Sequence, residues 1–183
     1  MKLVKEQDIV EVISKDKWMM GVIELAAKLE LPDWWICAGF IRAKVWDELH
    51  GISEKTVIPD VDVIYFDSKH LDEQNEELYE KTLNTLDPTI PWSVKNQARM
   101  HTLNEVAPYT SSIDGMSKFP ETVTAIGITL DERGGLRLCA PYGVEDLIMM
   151  KIRPTPSFKE SQIYRERVNQ KKWSATWGKV TVE

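Results

Sequence analysis

Two aspartates two positions apart, Asp60 and Asp62, are the residues of this sequence best suited to chemistry. They open the segment 60–67 (DVDVIYFD), whose early alternation and β-branched and aromatic side chains predict a strand. On a strand, both carboxylates point to one face, about 7 Å apart. Burying two carboxylates without partners is costly, and Mg²⁺ is commonly held by one or two carboxylates together with substrate phosphates. The pair therefore indicates a Mg²⁺ or Mn²⁺ site, with a solvated pair on an edge strand as the alternative for this motif alone.

A second motif precedes the aspartates by about twenty residues. The apolar run 34–38 predicts a buried strand that ends at Gly39, and a helical pattern then continues to Gly51. Free backbone N–H groups at the start of a helix bind phosphate, and glycine lets a ligand approach the backbone closely. Arg42 lies one helical turn further on, where it can contact a phosphate or form a surface ion pair. The sequence therefore predicts a phosphate-binding turn at Ala38 and Gly39, although turns of this kind also occur without a ligand.

The two motifs together are more specific than either one. A phosphate-binding turn followed by a strand with two aspartates places a phosphate site beside a metal site. This is the arrangement that holds a nucleoside triphosphate and its magnesium for attack on the α-phosphate.

These motifs must be positioned by a set of alternating helices and strands. The first thirty residues predict two helices, because their apolar spacing breaks near residues 14–16, where Ser14 or Asp16 can cap the second helix. Residues 70–86 predict a helix with an acidic outer face and its leucines along one side. The remaining pattern predicts strands at 92–98, 122–130 and 136–140 and helices at 113–119, 142–152 and 158–173. The expected fold class is α/β (α+β), with a mixed central sheet flanked by helices.

Composition and charge narrow the function further. The 183 residues are 43% hydrophobic and 28% charged, which is typical of a globular protein, and no apolar run is long enough to cross a membrane. We expect one domain at 1–158 and a basic helical extension at 159–183 packed on it. The extension has six Lys/Arg against three acids, which leaves a net charge of −9 on the rest. The acidic charge of residues 1–158 argues against broad nucleic-acid binding. The basic extension leaves a local contact with nucleic acid open. A solvated terminal helix is the simpler explanation for the charge of the extension.

The cysteines and the start of the chain indicate a compartment. Cys37 and Cys139 lie far apart, with no pattern typical of zinc or of a disulfide framework, and the first residues are too charged for a signal peptide. We therefore expect a cytoplasmic protein.

Several motifs in this chain resemble those of a known superfamily. The segments 36–42 (ICAGFIR), 49–51 (LHG) and 60–63 (DVDV) resemble the head motif of polymerase-beta-like nucleotidyltransferases, and the pattern is most similar to tRNA CCA-adding and poly(A)-polymerase-type enzymes. Over most of its length the chain is similar to a family of small bacterial nucleotidyltransferase-like proteins of unknown physiological role. The matching pieces are VWD at 45–47, DVDVIYFD at 60–67, KNQARMH at 95–101, PET at 120–122, GVEDL at 143–147 and RPTP at 153–156.

The chain also departs from the superfamily pattern. Ala38-Gly39 stands where the superfamily often has Gly-Gly or Gly-Ser, and Ala43 stands where the CCA-adding pattern has an aspartate. Superfamily catalysts usually take a third carboxylate from a neighbouring strand, but the expected strand, 92–98, offers Lys95, Asn96 and Gln97 instead. Substitutes from elsewhere in the chain are Asp67, Asp114 and Glu121.

The resemblance implies a protein that binds a magnesium–nucleoside triphosphate through Asp60 and Asp62 and transfers a nucleotidyl group to an unidentified acceptor hydroxyl. The polar end of the strand at 92–98 adds Asn96 and Arg99 as expected nucleotide ligands beside Ala38, Gly39 and Arg42. The missing third acid keeps a second function open: a nucleotide-binding or interaction module that retains the fold without catalysis.

Overall fold

The computed structural model describes residues 3–104 and 106–183. Its helices are α1 (Glu6–Ser14), α2 (Lys17–Ala27), α3 (Gly39–His50), α4 (Glu73–Leu86), α5 (Gln97–Leu103), α6 (Ser112–Ser117), α7 (Glu145–Ile148), α8 (Gln162–Lys171) and α9 (Trp173–Thr176). Its strands are β1 (Trp35–Cys37), β2 (Val61–Tyr65), β3 (Trp92–Asn96), β4 (Gly127–Leu130), β5 (Leu136–Cys139), β6 (Lys151–Ile152) and β7 (Thr181–Val182). No helix in these two described ranges is long and apolar enough to cross a membrane.

The first five strands form one mixed sheet in the order β3-β2-β1-β4-β5. Strand β1 runs antiparallel to both β2 and β4, β5 runs antiparallel to β4, and β3 runs parallel to β2. This mixed sheet with flanking helices confirms the predicted fold class.

Local sequence signals set the ends of several elements, as expected. The side chain of Asp16 accepts hydrogen bonds from the backbone N–H groups of Trp18 and Met19 and so begins α2. Gly51 adopts φ 67°, the left-handed conformation that commonly ends a helix at glycine. The hairpin of β4 and β5 is also present, but its first strand begins at Gly127 rather than at 122.

Two predicted elements end earlier than expected. The strand predicted at 92–98 stops at Asn96, whose side chain accepts a hydrogen bond from the N–H of Ala98 and thereby caps α5. The helix predicted at 142–152 is reduced to α7, because Met150 takes a positive φ of 57° and the next two residues form β6.

Helix α4 packs with a different face than its leucines predict. Leu83 is buried, but Leu78 and Leu86 are exposed, and Glu76 is fully buried instead. The reason is the adjacent outer strand β3: its backbone N–H groups at Val94 and Asn96 donate to the carboxylates of Glu80 (2.8 Å) and Glu76 (3.1 Å) of α4. Part of the acidic run is therefore structural rather than a solvated outer face.

The C-terminal segment packs on the main core. Strand β7 pairs in parallel with β6, and Trp173, Trp177 and Val180 are buried in the main core. The indole N–H of Trp177 donates to a carboxylate oxygen of Asp47 at 2.8 Å. Most of α8 is exposed, as a solvated terminal helix would be.

Candidate functional site

The two faces of β2 have different environments. Val61, Val63 and Tyr65 point into the main core, which the larger helices cover. Ile64 belongs to a small cluster on the opposite face, and Asp62 lies on that face because side chains alternate along a strand. Asp60 directly precedes the strand, two positions before Asp62. The second face of the sheet therefore carries the predicted carboxylate pair.

Asp62 carries its charge at an electrostatic cost. Burial, and next the nearby charge of Asp60, raise the pKa of Asp62 to about 6, while the cations Arg167, Lys171 and Arg42 act in the opposite direction. The negative charge of Asp60 thus disfavours the ionised form of Asp62. A bound cation would remove that repulsion, so the donor set fits a divalent metal.

The turn between β1 and α3 lies next to this pair. Its backbone is held by a hydrogen bond from the N–H of Ala38 to the carbonyl of Ile126 at 3.1 Å. Ala38 adopts φ 55° and ψ −116°, a conformation that glycine takes far more readily than alanine. This positive φ explains why the superfamily resembled by the sequence often has glycine there. Gly39 then begins α3, as the sequence predicts.

Arg42 reaches back over this turn. Its terminal nitrogen lies 3.7 Å from the point where a β-carbon on Gly39 would lie. Its guanidinium carbon lies 4.5 Å from the centre of the Trp173 ring and 5.4 Å from that of Trp46. Burial lowers the pKa of Arg42 to about 10, so the group stays protonated at neutral pH. Its buried Nε has no hydrogen-bond partner among the described residues, which makes it an unused donor close to the turn.

A buried ion pair adds a second arginine. Glu121 is fully buried, and its carboxylate accepts hydrogen bonds from Arg167 Nε at 2.7 Å and from the Thr124 hydroxyl at 2.8 Å. Glu121 is one of the substitute acids named from the sequence, but Arg167 was not singled out. The two residues are 46 positions apart, and no local sequence signal links them.

A cavity of about 380 Å³ opens beside Asp62. The charged part of its lining comes from Asp62, Lys95, Lys118 and Arg167. The rest of the lining is mostly apolar, with two amides and one hydroxyl. It includes Ala38, Ile64, Gln97, Met100, Asn104, Gly115, Phe119, Pro120, Thr124, Phe158 and Ile163.

Asn96, one of the two further predicted nucleotide ligands, is used by the protein itself. Its side-chain oxygen accepts from the N–H groups of Asp67 and Ala98, and its side-chain nitrogen donates to the carbonyls of Asp67 and His70. These four bonds use the full capacity of the amide. Asn96 therefore fastens the loop after β2 and is not part of the cavity lining.

Arg99, the second of these two predicted nucleotide ligands, is also held by contacts within the protein. It makes a two-point contact to the buried Glu76, at 3.1 Å through Nε and 2.9 Å through a terminal nitrogen, and it pairs with Glu73 at 3.1 Å. It too lies outside the cavity lining. The sequence suggested a ligand role because a polar strand end cannot be distinguished from a helix cap and ion-pair network by pattern alone.

The substitute acids do not complete a metal-binding group. Asp67 accepts a hydrogen bond from the His70 ring, and Asp114 accepts one from the N–H of Thr110. Glu121 is occupied by Arg167. Within residues 3–104 and 106–183, no group of three or more His, Cys, Asp or Glu side chains is placed to hold a metal. None of these three acids therefore adds a further free carboxylate to Asp60 and Asp62.

Comparisons with known proteins found a matching family model and similar solved structures. Residues 24–182 match the sequence model of a family described as nucleotidyltransferase. A structure described as revealing a CCA-adding enzyme head domain is 35% identical, with a TM-score of 0.88, and the match covers all of this chain and 98% of the other. No curated protein sequence matches the chain.

Two larger enzymes share the fold at low sequence identity. The Thermotoga maritima CCA-adding enzyme in complex with tRNA has a TM-score of 0.58 at 13% identity, and a CCA-adding enzyme in complex with CTP has 0.62 at 13%. The matches cover 98% and 100% of this chain but only 42% and 44% of those enzymes. The chain thus spans less than half the length of these two proteins.

Proposed function

The chain belongs to the nucleotidyltransferase family, and from this premise we propose that it binds a magnesium–nucleoside triphosphate and transfers the nucleotidyl group to an acceptor hydroxyl. One observation carries the proposal. Asp62 pairs with Cys37 at the end of β1 and lines the cavity together with Ala38 of the helix-starting turn. The charges of Asp60, Arg167, Lys171 and Arg42 are near enough to affect its pKa. In a chain of net charge −6, this concentration of cations around two carboxylates suits a ligand that carries both a metal ion and phosphates.

Asp60 and Asp62 would hold the metal. Bound there, Mg²⁺ or Mn²⁺ would activate the α-phosphate as a Lewis acid and stabilise the leaving pyrophosphate. The raised pKa of Asp62 supports this role, because the carboxylate pair is unfavourable until a cation neutralises it.

Ala38, Gly39 and Arg42 would bind the phosphates. The first N–H groups of α3 have no partners within the helix, and the lack of a side chain at Gly39 lets a phosphate approach them closely. The unpaired Nε of Arg42 would add a charged donor. None of these groups contacts a base edge, so they would give little base selectivity. The solved structures with CTP and with ATP support a nucleotide as the partner.

The acceptor hydroxyl has no assigned identity. The related structure with tRNA keeps a nucleic acid open as the acceptor, although the acidic body of this chain argues against broad nucleic-acid binding. We also propose a cytoplasmic location, because the two thiols, Cys37 and Cys139, are both free and fit a reducing compartment.

A second function is favoured by one observation: among the described residues, no third acid joins Asp60 and Asp62. Among those residues, no further carboxylate is placed to deprotonate the acceptor hydroxyl, and on this second function the protein would bind nucleotide without transferring it. Release of pyrophosphate from an α-labelled nucleoside triphosphate, with label transfer to a co-purified acceptor, distinguishes the two functions.

The proposal is tested by measuring the thermal shift caused by Mg²⁺–ATP. We expect Asp62→Asn and Asp60→Asn to abolish the shift, because stabilisation by a ligand disappears once Kd exceeds its concentration. Glu77→Gln is the control, because it removes a negative charge from an exposed residue of α4. It should keep the full thermal shift. Aspartate variants that melt early yet still bind Mg²⁺–ATP would show that the pair is structural, and the proposal would be wrong.

A further inference from the structure

Helix α8 forms one wall of the cavity beside Asp62. Ile163 and Arg167 lie four positions apart, so they share one face of the helix, and both line the cavity. Ile163 is 63% exposed, so most of its apolar side chain is open to a ligand. Phe158, just before the helix, lines the same cavity.

Arg167 is fixed in place from one side only. Its Nε donates to the fully buried carboxylate of Glu121, which is itself held by the hydroxyl of Thr124. Among the described residues, this is the hydrogen bond that the guanidinium makes, and the side chain keeps 36% of its surface exposed. The two terminal nitrogens of a guanidinium anchored through Nε stay available for a phosphate.

The spacing along α8 suits a ligand with a charged and an apolar part. Four residues of helix span about 6 Å, so Ile163 lies about one turn from Arg167 on the same wall of the cavity. The lining that Arg167 shares with Asp62 also includes the apolar side chains of Met100, Phe119 and Phe158. A nucleoside triphosphate has this polarity: phosphates at one end and a flat, largely apolar base and sugar at the other.

We propose that α8 is part of the nucleotide site, with Arg167 binding a phosphate oxygen, Ile163 and Phe158 packing against the nucleoside, and Glu121 positioning Arg167. This assignment rests on the proposed function. It also gives the basic C-terminal extension a role beyond that of a solvated helix.

The test compares two probes, Mg²⁺–ATP and Mg²⁺–tripolyphosphate, because the second has the phosphates without the nucleoside. We expect Arg167→Ala to weaken the binding of both probes about tenfold or more, as the loss of a hydrogen bond to a charged group should. Ile163→Ala should weaken ATP about threefold and leave tripolyphosphate unchanged, because a partly buried apolar contact is lost. Arg165→Ala is the matched control, since Arg165 is an exposed arginine of the same helix, and both affinities should stay within about twofold.

A second set of variants separates binding from folding. Arg167→Ala leaves the buried Glu121 charge unpaired, so the double variant Glu121→Gln with Arg167→Gln removes both charges and keeps similar volume. The double variant should fold and should bind both probes as weakly as Arg167→Ala does. Glu121→Gln alone should weaken both probes about threefold without changing their ratio, because Arg167 stays present but less well positioned.

The outcomes are distinct. If wild-type protein binds both probes and the double variant binds them equally well, α8 is not part of the site and the inference is overturned while the proposed function stands. If wild-type protein binds neither probe, the proposed function fails, and the inference fails with it.

Discussion

The two faces of the central sheet differ in how they are covered. One face packs against a large continuous core that includes the buried residues of α1, α2 and α3. The other face has five buried apolar side chains, from Trp35, Cys37, Ala38, Ile64 and Met116. The thinly covered face is the one that holds Asp62 and the cavity.

This difference shows where a small domain can keep charged groups. On the well-packed face, an ionisable group without a partner would cost several kcal/mol. On the thin face, partial burial raises the pKa of Asp62 only to about 6. Its carboxylate therefore still ionises at neutral pH. The packed face thus provides stability, and the thin face keeps reactive groups available.

The packed face should show the largest effect in mutagenesis. Trp177 is buried, lies edge-on 5.2 Å from the Trp46 ring, and donates to Asp47. We expect Trp177→Ala to lower the free energy of unfolding by about 3–5 kcal/mol in urea denaturation. Trp177→Phe, which keeps most of the volume, should lose less than half of that. A loss below about 1 kcal/mol for the alanine variant would mean that the C-terminal segment is not part of the core.

Deletion of residues 174–183 should be destabilising for the same reason. An exposed terminal helix would tolerate such a deletion, but this segment contains the buried Trp177 and Val180 and the strand β7. We expect the truncated chain to melt well below the full chain in a thermal scan. Equal melting temperatures would contradict this expectation.

The thin face should show its effect as a pH dependence. A carboxyl with a raised pKa binds more protons in the folded than in the unfolded state between about pH 4 and 6, so its contribution to stability falls as pH rises through that window. The shift corresponds to about 1–2 kcal/mol after allowance for partial exposure. Asp62→Asn should therefore be more stable than wild type by about this amount at pH 7, and by little at pH 4.

The pH prediction is checked by the difference between variant and wild type, measured by denaturation at pH 4, 5, 6 and 7. Using the difference cancels the other groups that titrate. A flat difference for Asp62→Asn across this range would mean that Asp62 is solvated.

The smallest effect is expected at the turn itself. Ala38 has a positive φ of 55°, so Ala38→Gly should relieve backbone strain of about 1–3 kcal/mol. The greater flexibility of the unfolded chain and the loss of the methyl group offset most of this gain. We expect a gain of about 0–1 kcal/mol. Ala43→Gly is the matched control, since Ala43 is a buried alanine inside α3, and it should lose about 1 kcal/mol. Equal losses at both positions would show that Ala38 is not strained.

Local features of the fold could be predicted from the sequence. The Asp16 cap, the Gly51 helix end and the turn at Gly39 depend on residues within a few positions of one another. The separation of Asp60 and Asp62 fixes their common face, because the side-chain period of a strand is two. These features need no knowledge of the tertiary structure.

The features that sequence reasoning missed depend on distant contacts. Arg167 meets Glu121 across 46 positions, and Trp177 meets Asp47 across 130. Glu76 is buried because two acceptors are needed beside β3, a requirement that no hydrophobic pattern records. Such pairings come from topology, so a single sequence cannot reveal them.

The carboxylates of α4 have a further consequence for how molecules of this protein behave toward one another. Strand β3 is the outermost strand on its side of the sheet, and a bare outer strand can recruit a strand from another chain and start aggregation. Glu76 and Glu80 occupy the N–H groups of Asn96 and Val94, so a foreign strand would have to displace two buried or half-buried carboxylates before it could pair. Helix α4 thus covers this edge of the sheet and leaves these two N–H groups unavailable for pairing with another chain.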